Sequence, residues 1–91
     1  MITIFTPTYN RAHTIGRTFE SLQTQSDRDF EWVVVDDGSS DNTVGLLSRW
    51  KDRANFPIIV FQQKNMGKHA AINLGVQHAH GELFFIVDSD D

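Results

Sequence analysis

The feature that most constrains this fold is an unbroken run of three β-branched residues, Val33-Val34-Val35. Successive side chains of a strand point to opposite faces of the sheet, so a continuous apolar run indicates a strand that is buried on both faces. Parallel sheets are typically buried on both faces, with helices packed on either side. The run therefore predicts a parallel α/β fold.

Short apolar runs alternate along the chain with segments of helical periodicity. The pattern predicts strands at residues 2–5, 30–35, 58–61 and 83–87, and helices at residues 12–24, after residue 42 and at residues 67–80. The predicted buried helix positions are Ile15, Phe19, Leu22, Val44, Leu47, Trp50, Ile72, Gly75, Val76 and Ala79. Ser40 or Asp41 is the predicted N-cap of the second helix, and Gly81 is the predicted stop of the third. This order, with short loops, indicates right-handed crossovers and a three-layer α/β/α, Rossmann-like parallel sheet of four strands and three helices.

The composition excludes several classes of protein. The 91 residues suffice for one small domain, and the absence of cysteine excludes both a disulfide framework and a thiolate metal site. The sequence has no basic face for nucleic acid, no apolar run of the roughly 20 residues that a membrane span needs, and no signal-peptide pattern at its start. We therefore expect no nucleic-acid partner, no transmembrane segment in this chain, and a location in the cytoplasm or at the cytoplasmic face of a membrane.

The acidic residues are concentrated in two clusters. The chain carries twelve acidic and eight basic residues, and five of the acids are Asp36, Asp37, Asp88, Asp90 and Asp91. Neighbouring carboxylates repel one another unless a cation lies between them. Because oxygen ligands suit hard divalent cations, the cluster at residues 88–91 predicts a Mg²⁺ or Mn²⁺ site.

Three polar segments follow predicted strands. They are Thr6-Pro7-Thr8-Tyr9-Asn10 after the first strand, Asp36-Asp37-Gly38-Ser39-Ser40 after the second, and Asp88-Ser89-Asp90-Asp91 after the fourth. In open α/β sheets, ligands bind outside the carboxyl ends of the strands, at a switch in strand order. If the fourth strand lies beside the first, opposite the second, all three segments converge on one crevice.

The side chains of this predicted crevice suit a nucleoside diphosphate. Tyr9 offers an aromatic face for a base, and Asp37 offers an acceptor for an imide N–H. Asp90 and Asp91 offer oxygens for a ribose hydroxyl and for a metal that neutralises phosphate. The chain has neither G-x-x-x-x-G-K-[ST] nor G-x-G-x-x-G, so a metal is expected to hold the phosphates in place of a glycine-rich loop.

Each of these residues also has a structural interpretation. Tyr9 could flank the core, and the carboxylates at residues 88–91 could form a solvated end of the chain. Asp36 and Asp37 could stabilise a turn, and Asp36 is the more structural of the two. The four histidines show no spacing typical of metal ligands.

The chain resembles the nucleotide-sugar-binding half of a family 2 glycosyltransferase of the GT-A fold. The matching segments, in the order and spacing of that family, are Pro7-Thr8-Tyr9-Asn10-Arg11, the run from Val33 to Thr43, Asn65-Met66-Gly67, Ala70-Ala71-Ile72-Asn73, and Ala79-His80-Gly81-Glu82 leading into Asp88-Ser89-Asp90-Asp91. Any one of these segments is a weak signal, but together they span nearly all 91 residues and are highly specific.

The resemblance implies a role for particular positions. The implied nucleotide-sugar-binding residues are Pro7, Thr8, Tyr9, Asp37, Lys68, Asp88 and Asp90, and the implied metal ligands are Asp90 and Asp91. Pro7, Thr8 and Tyr9 would border the base, Asp37 would accept from its N–H, and Lys68 would supply a basic contact. Asp88 and Asp90 would belong to the D-x-D motif of the family, with Mn²⁺ or Mg²⁺ held beside the diphosphate.

The resemblance also implies a reaction. Such enzymes transfer a sugar from a nucleoside-diphosphate sugar, here expected to be UDP-linked, to an acceptor with inversion and with help from a metal. The acceptor is a saccharide, lipid or protein that the sequence does not name. Enzymes of this family continue beyond the D-x-D motif into a region that binds the acceptor and supplies the general base. We therefore expect residues 1–91 to be the donor-binding part of a domain truncated after this motif, with no catalytic base and no turnover alone.

Three other functions compete with this interpretation. A nucleotidyltransferase would usually carry a glycine- and arginine-rich loop after the first strand, where this chain has Pro7-Thr8-Tyr9-Asn10. A phosphate-switch receiver module has its acidic pair after the first strand, whereas Asp36 and Asp37 follow the second. A binding module that keeps the nucleotide site and has lost transfer remains open.

Overall fold

Strands and helices alternate throughout the computed structural model, which describes residues 1–27, 29–81 and 83–87. The strands are β1 (Ile2–Thr8), β2 (Phe30–Asp36), β3 (Ile58–Gln62) and β4 (Leu83–Ile86), and the helices are α1 (Ile15–Gln23), α2 (Thr43–Lys51) and α3 (Gly67–His78). Every strand pairing is parallel, and the strand order is β3-β2-β1-β4. The predicted parallel α/β fold is confirmed.

The sheet is covered on both faces, as the Val33-Val34-Val35 run predicts. All three valines are fully buried, with Val34 in one apolar cluster and Val33 and Val35 in another. The larger cluster joins β2 to the first two helices; it contains Ile15, Phe19, Leu22, Phe30, Trp32, Val34, Leu47, Phe56 and Ile58. The smaller cluster joins the sheet to α3 and contains Phe5, Val33, Val35 and Ala71. Helices therefore lie on opposite faces of one sheet.

Aromatic packing fixes α1 and α2 against the sheet. The rings of Phe19 and Trp50 stack with their centroids 4.6 Å apart and an interplanar angle of 3°. Trp32 is fully buried, and its indole N–H donates to the Thr6 hydroxyl at 2.9 Å, so its polar atom is satisfied. Both tryptophans therefore serve packing.

Helix α3 contacts the sheet through its smallest residues. Gly75 lies directly over the fully buried Phe5 ring, and a Cβ atom at this position would overlap the ring edge. Ala71, one turn earlier, is also buried, so this i, i+4 pair defines the inward face. Val76 was predicted to lie on that face but is 55% exposed, because it follows Gly75 by about 100° of helical rotation.

Several element boundaries differ from the predicted ones. β1 continues through Pro7 and Thr8, which pair with Val35 and Asp36 of β2, although both had been predicted to lie in a loop. α1 begins at Ile15, three residues later than predicted, because a turn at Arg11 precedes it. None of the helices in the described ranges is long and apolar enough to cross a membrane.

The end of α3 also differs from the prediction. The helix ends at His78, and Ala79 follows it in an extended conformation, so Ala79 lies outside the helix and Gly81 is not its stop. The lack of a side chain at Gly81 serves packing instead, since a Cβ atom there would meet backbone atoms of Ile2 and Thr3. Gly81 therefore lets the connection into β4 pass close against β1.

A buried carboxylate organises the edge of the sheet at which the strands begin. Glu31 is 2% exposed and accepts hydrogen bonds from the Thr3 hydroxyl and the His80 backbone N–H, both at 2.6 Å, while Nδ1 of His80 lies 3.0 Å from its other oxygen. The Gly81 N–H donates to the same Thr3 hydroxyl at 2.9 Å. Burial alone would raise the pKa of Glu31, but the hydrogen bonds from Thr3 and His80 outweigh it and hold the pKa below its ordinary value of 4.5. We call Thr3, Glu31, His80 and Gly81 the β1–β4 latch.

Candidate functional site

The loop that follows β2 is organised by Asp36. This carboxylate is buried and accepts hydrogen bonds from the backbone N–H groups of Gly38 and Ser39, at 3.2 and 2.9 Å, and from the Ser39 hydroxyl. Gly38 has a positive φ of 88°, a conformation that suits glycine, and it turns the loop back over the strand end. Asp36 therefore has the structural role that the sequence favoured for it.

Asn10 joins the loop that follows β1 to the loop that follows β2. Its side-chain oxygen accepts from the backbone N–H groups of Ser40 and Asp41, at 2.8 and 3.3 Å. The backbone N–H of Asn10 donates to the Ser39 hydroxyl at 2.8 Å. Asn10 has a φ of 51°, a left-handed conformation that asparagine tolerates better than most residues. The loops that carry Tyr9 and Asp37 therefore form one connected unit at the carboxyl edge of the sheet.

Asp41 makes a second connection between these loops. It accepts from the Ala12 backbone N–H at 3.1 Å and from both the backbone and the hydroxyl of Thr43, the first residue of α2. Burial alone would raise the pKa of Asp41, but hydrogen bonds from Thr43 and Ala12 hold it below its ordinary value of 3.8. The N-cap position belongs to Asn42, which makes no side-chain capping bond, so the predicted cap at Ser40 or Asp41 was wrong by at least one position.

Asn10→Gly is expected to lower the free energy of unfolding by about 0.5–1.5 kcal/mol, because the exposed backbone N–H groups of Ser40 and Asp41 lose their shared acceptor. Glycine adopts the left-handed conformation at no steric cost, so the change in stability reports only the loss of the Asn10 side chain. Asn10→Ala should cost about 1 kcal/mol more, since alanine is strained at positive φ. Urea unfolding followed by circular dichroism measures both values. Equal stability of Asn10→Gly and wild type would contradict the bridging role.

Asp37 lies on the other side of the strand end, against the start of α3. Its Oδ1 accepts from the Gln63 side-chain amide at 3.0 Å and from the Met66 N–H at 2.8 Å, and its Oδ2 accepts from the Gly67 N–H at 3.3 Å. The positive φ angles of Asn65 (47°) and Gly67 (87°) turn these N–H groups toward the carboxylate. Asp37 therefore holds the N-terminus of α3, where a negative charge is favourable.

The other predicted ligand residues are found in three settings. Tyr9 is 47% exposed at the carboxyl edge, so it does not flank the core. Pro7 and Thr8 are the last residues of β1, and the Thr8 hydroxyl, 4% exposed, has no hydrogen-bond partner in the described part of the chain. Lys68 is exposed in the first turn of α3.

The predicted residues of the acidic end, Asp88, Asp90 and Asp91, lie outside the described residues. Within residues 1–27, 29–81 and 83–87, no group of three or more acidic or histidine side chains is arranged to hold a metal ion. The structure thus brings together the segments that carry Tyr9 and Asp37.

Two residues without a predicted role are central to this edge. Asn10 bridges the first two loops, and Gln63 donates to Asp37 and to the Gly67 carbonyl at 3.1 Å. Asparagine between a strand and a helix is a common signal for a left-handed residue with a bonding side chain, which applies to Asn10 and Asn65. No comparable local signal marks Gln63.

A family model described as glycosyl transferase family 2 matches residues 3–91. The chain belongs to this family. The carboxyl edge of the sheet, with Tyr9 and Asp37, lies within the residues that this family model matches.

Curated family 2 relatives share about a third of their residues with this chain. An undecaprenyl-phosphate 4-deoxy-4-formamido-L-arabinose transferase of Pseudomonas syringae pv. syringae is 36% identical over 98% of this chain and 28% of its own length. A dolichyl-phosphate beta-glucosyltransferase of Trichomonas vaginalis is 35% identical over 98% of this chain and 30% of its own length. The chain thus spans less than a third of the length of these relatives.

Solved structures of similar proteins share the fold. The mannosyltransferase PcManGT from Pyrobaculum calidifontis, in complex with GDP-Man and Mn²⁺, superposes with a TM-score of 0.86 and 33% identity, over 98% of this chain and 27% of its own. S. aureus TarS 1-349 in complex with UDP-GlcNAc superposes with a TM-score of 0.78 and 28% identity, over 98% of this chain and 26% of its own. This family 2 chain therefore has the fold of proteins whose structures hold nucleotide sugars.

Proposed function

We propose that residues 1–91 are the donor-binding part of a family 2 glycosyltransferase that transfers a sugar from a UDP-sugar, with inversion and with help from a divalent metal. The observation that carries this proposal is the joining of two strand-end loops by Asn10, one bearing the exposed Tyr9 and the other Asp37. A flat aromatic face and a carboxylate acceptor on one connected edge suit a nucleobase.

Tyr9 and Asp37 are the proposed contacts to the base, with Pro7 and Thr8 along its border. Stacking on an exposed tyrosine and a hydrogen bond to a carboxylate complement the face and the edge of a base. Three acceptor positions of Asp37 are taken by Gln63, Met66 and Gly67. A carboxylate has about four such positions, so one remains for the imide N–H of uracil.

The diphosphate end of the donor is assigned to the acidic residues that follow β4 in the sequence and to Lys68. Asp90 and Asp91 are the proposed ligands of Mn²⁺ or Mg²⁺, and Asp88 and Asp90 the proposed contacts to the nucleoside. A donor set of carboxylate oxygens fits hard divalent cations. When bound, such a metal stabilises the negative charge of the departing nucleoside diphosphate.

Residues 1–91 bind and orient the donor, and the acceptor hydroxyl requires a general base from outside these residues. We therefore propose that the 91-residue chain alone does not transfer sugar. The acceptor is a saccharide, lipid or protein, and the proposed location of the whole enzyme is the cytoplasm or the cytoplasmic face of a membrane. Two relatives are named for undecaprenyl and dolichyl phosphates. These names support a lipid-phosphate acceptor among the three classes.

Nuclear magnetic resonance titration of the ¹⁵N-labelled chain with UDP, with and without Mg²⁺, tests the donor site even when binding is weak. We expect the amide resonances of Tyr9, Asp37 and Gly67 to shift, and Mg²⁺ to tighten binding. Asp91→Asn should reduce that effect of Mg²⁺ by about tenfold or more, equivalent to roughly 1.4 kcal/mol. Asp52→Asn, at the exposed C-terminal end of α2, is the matched control and should leave the effect of Mg²⁺ on UDP binding unchanged. Unchanged spectra at millimolar UDP and Mg²⁺ would overturn the proposal.

A further inference from the structure

The two oxygens of Asp37 differ in how fully their acceptor positions are used. Oδ1 accepts two hydrogen bonds, from the Gln63 amide at 3.0 Å and the Met66 N–H at 2.8 Å. Oδ2 accepts one bond, a longer one of 3.3 Å from the Gly67 N–H. A carboxylate oxygen accepts about two hydrogen bonds. Among contacts from the described residues, Oδ1 is therefore saturated, whereas Oδ2 has room for one further donor.

Gln63 is the side chain responsible for this asymmetry. Its Nε2 atom donates both to Oδ1 of Asp37 and to the Gly67 carbonyl at 3.1 Å. Both partners are acceptors, so the amide group must direct its NH₂ toward them and not its oxygen. The other two donors to Asp37 are backbone N–H groups, which every residue except proline supplies. Gln63 is thus the donor that a single substitution can remove.

Nucleobases differ in the number of donors that they present to a carboxylate. The imide edge of uracil has a single N–H, which needs one acceptor position. Guanine presents an N–H and an adjacent NH₂ side by side, and this pair fits a carboxylate by occupying both oxygens at once. A single opening on Oδ2 accommodates uracil, whereas guanine requires a position on Oδ1 that Gln63 and Met66 already fill.

We propose that Gln63 is a specificity-determining residue that makes this site prefer uridine over guanosine nucleotides. It acts through Asp37, by filling the Oδ1 position that guanine would need, and it need not touch the base itself. The inference rests on the proposed function, because it takes Asp37 as the acceptor for the base. It adds a residue and a physical reason for the choice of base.

The test compares UDP and GDP as probes, each titrated with Mg²⁺ into the ¹⁵N-labelled 91-residue chain. Wild type is expected to bind UDP about tenfold more tightly than GDP, within the range that one unpaired or displaced polar group produces. Gln63→Met removes the donor at nearly constant length, and it should reduce the UDP-to-GDP affinity ratio by about fivefold or more. The matched control is Gln62→Met, at the exposed end of β3, which should keep the wild-type ratio.

The UDP-to-GDP affinity ratio distinguishes a loss of specificity from structural damage, because a distorted loop would weaken the binding of both nucleotides together. UDP binding with an unchanged ratio in Gln63→Met would overturn the inference and leave the proposed function standing. Equal or tighter binding of GDP by wild type would overturn it without any variant. Failure of both nucleotides to bind wild type would overturn the proposed function and the inference with it.

Discussion

Replacing Glu31 with alanine is expected to lower the free energy of unfolding by about 2–6 kcal/mol, as two donors, one buried and one partly buried, lose their acceptor at about 1–3 kcal/mol each. These donors are the Thr3 hydroxyl and the His80 backbone N–H. Urea unfolding of wild type and Glu31→Ala, monitored by circular dichroism at neutral pH, measures the difference. A loss below about 0.5 kcal/mol, the range of ordinary surface substitutions, would contradict a structural role for the β1–β4 latch.

Glu31→Gln is the matched variant, because it keeps the shape of the side chain and one acceptor oxygen. It should cost much less than alanine and should also change the dependence of stability on pH. The folded-state pKa of Glu31 lies below its ordinary value of 4.5. Its stabilising contribution is therefore complete above pH 4.5 and is lost as the pH falls through the folded-state pKa. The stability difference between wild type and Glu31→Gln should shrink across that range, and a constant difference would exclude titration of Glu31 as its source.

Gly75→Ala is expected to destabilise the protein by about 1–3 kcal/mol, the usual cost of adding a methyl group to a filled core. The new methyl group would overlap the edge of the Phe5 ring, which is fully buried. This loss occurs although alanine is favoured over glycine in a helix by about 1 kcal/mol. Thermal and urea unfolding give the value directly.

Gly16→Ala is the control for the helix propensity of glycine. Gly16 lies within α1, and the nearest side-chain atoms to an added methyl group would be those of Trp50, at an ordinary contact distance of 3.9 Å. This substitution should be neutral or stabilising by up to about 1 kcal/mol. If Gly75→Ala behaved in the same way, close packing of α3 on Phe5 would be excluded.

The architecture was predictable because its main signals are local. The Val33-Val34-Val35 run indicates two buried faces through the two-residue repeat of a strand, and the structure buries these valines in separate clusters. The inward face of α1, with Ile15, Phe19 and Leu22, follows in the same way from helical spacing. The α3 face was mispredicted at Val76, since hydrophobicity favoured valine whereas close packing selected Ala71 and Gly75.

The candidate site was predictable in position but not in its internal bonding. Strand order and polar strand ends locate the edge that carries Tyr9 and Asp37. The bond between Gln63 and Asp37 joins residues 26 apart, and that between Ser40 and Asn10 joins residues 30 apart. No pattern within a single loop encodes such pairs, because they depend on the packing of α2 and α3 on the sheet. The predicted roles of Asp88, Asp90 and Asp91 stay predictions.

The β1–β4 latch also fixes how β4 is aligned on β1. Gly81 bonds to Thr3 at the edge where the strands begin, and Leu83 then aligns with Ile2. In any strand pairing, a slip of one residue turns the side chains of that strand to the opposite faces of the sheet. The Gly81–Thr3 bond at the start of β4 therefore helps to fix which residue ends this strand. Loss of the bonds that Thr3 and Glu31 make is therefore expected to loosen the alignment of β4 on β1, at the opposite edge of the sheet from Tyr9 and Asp37.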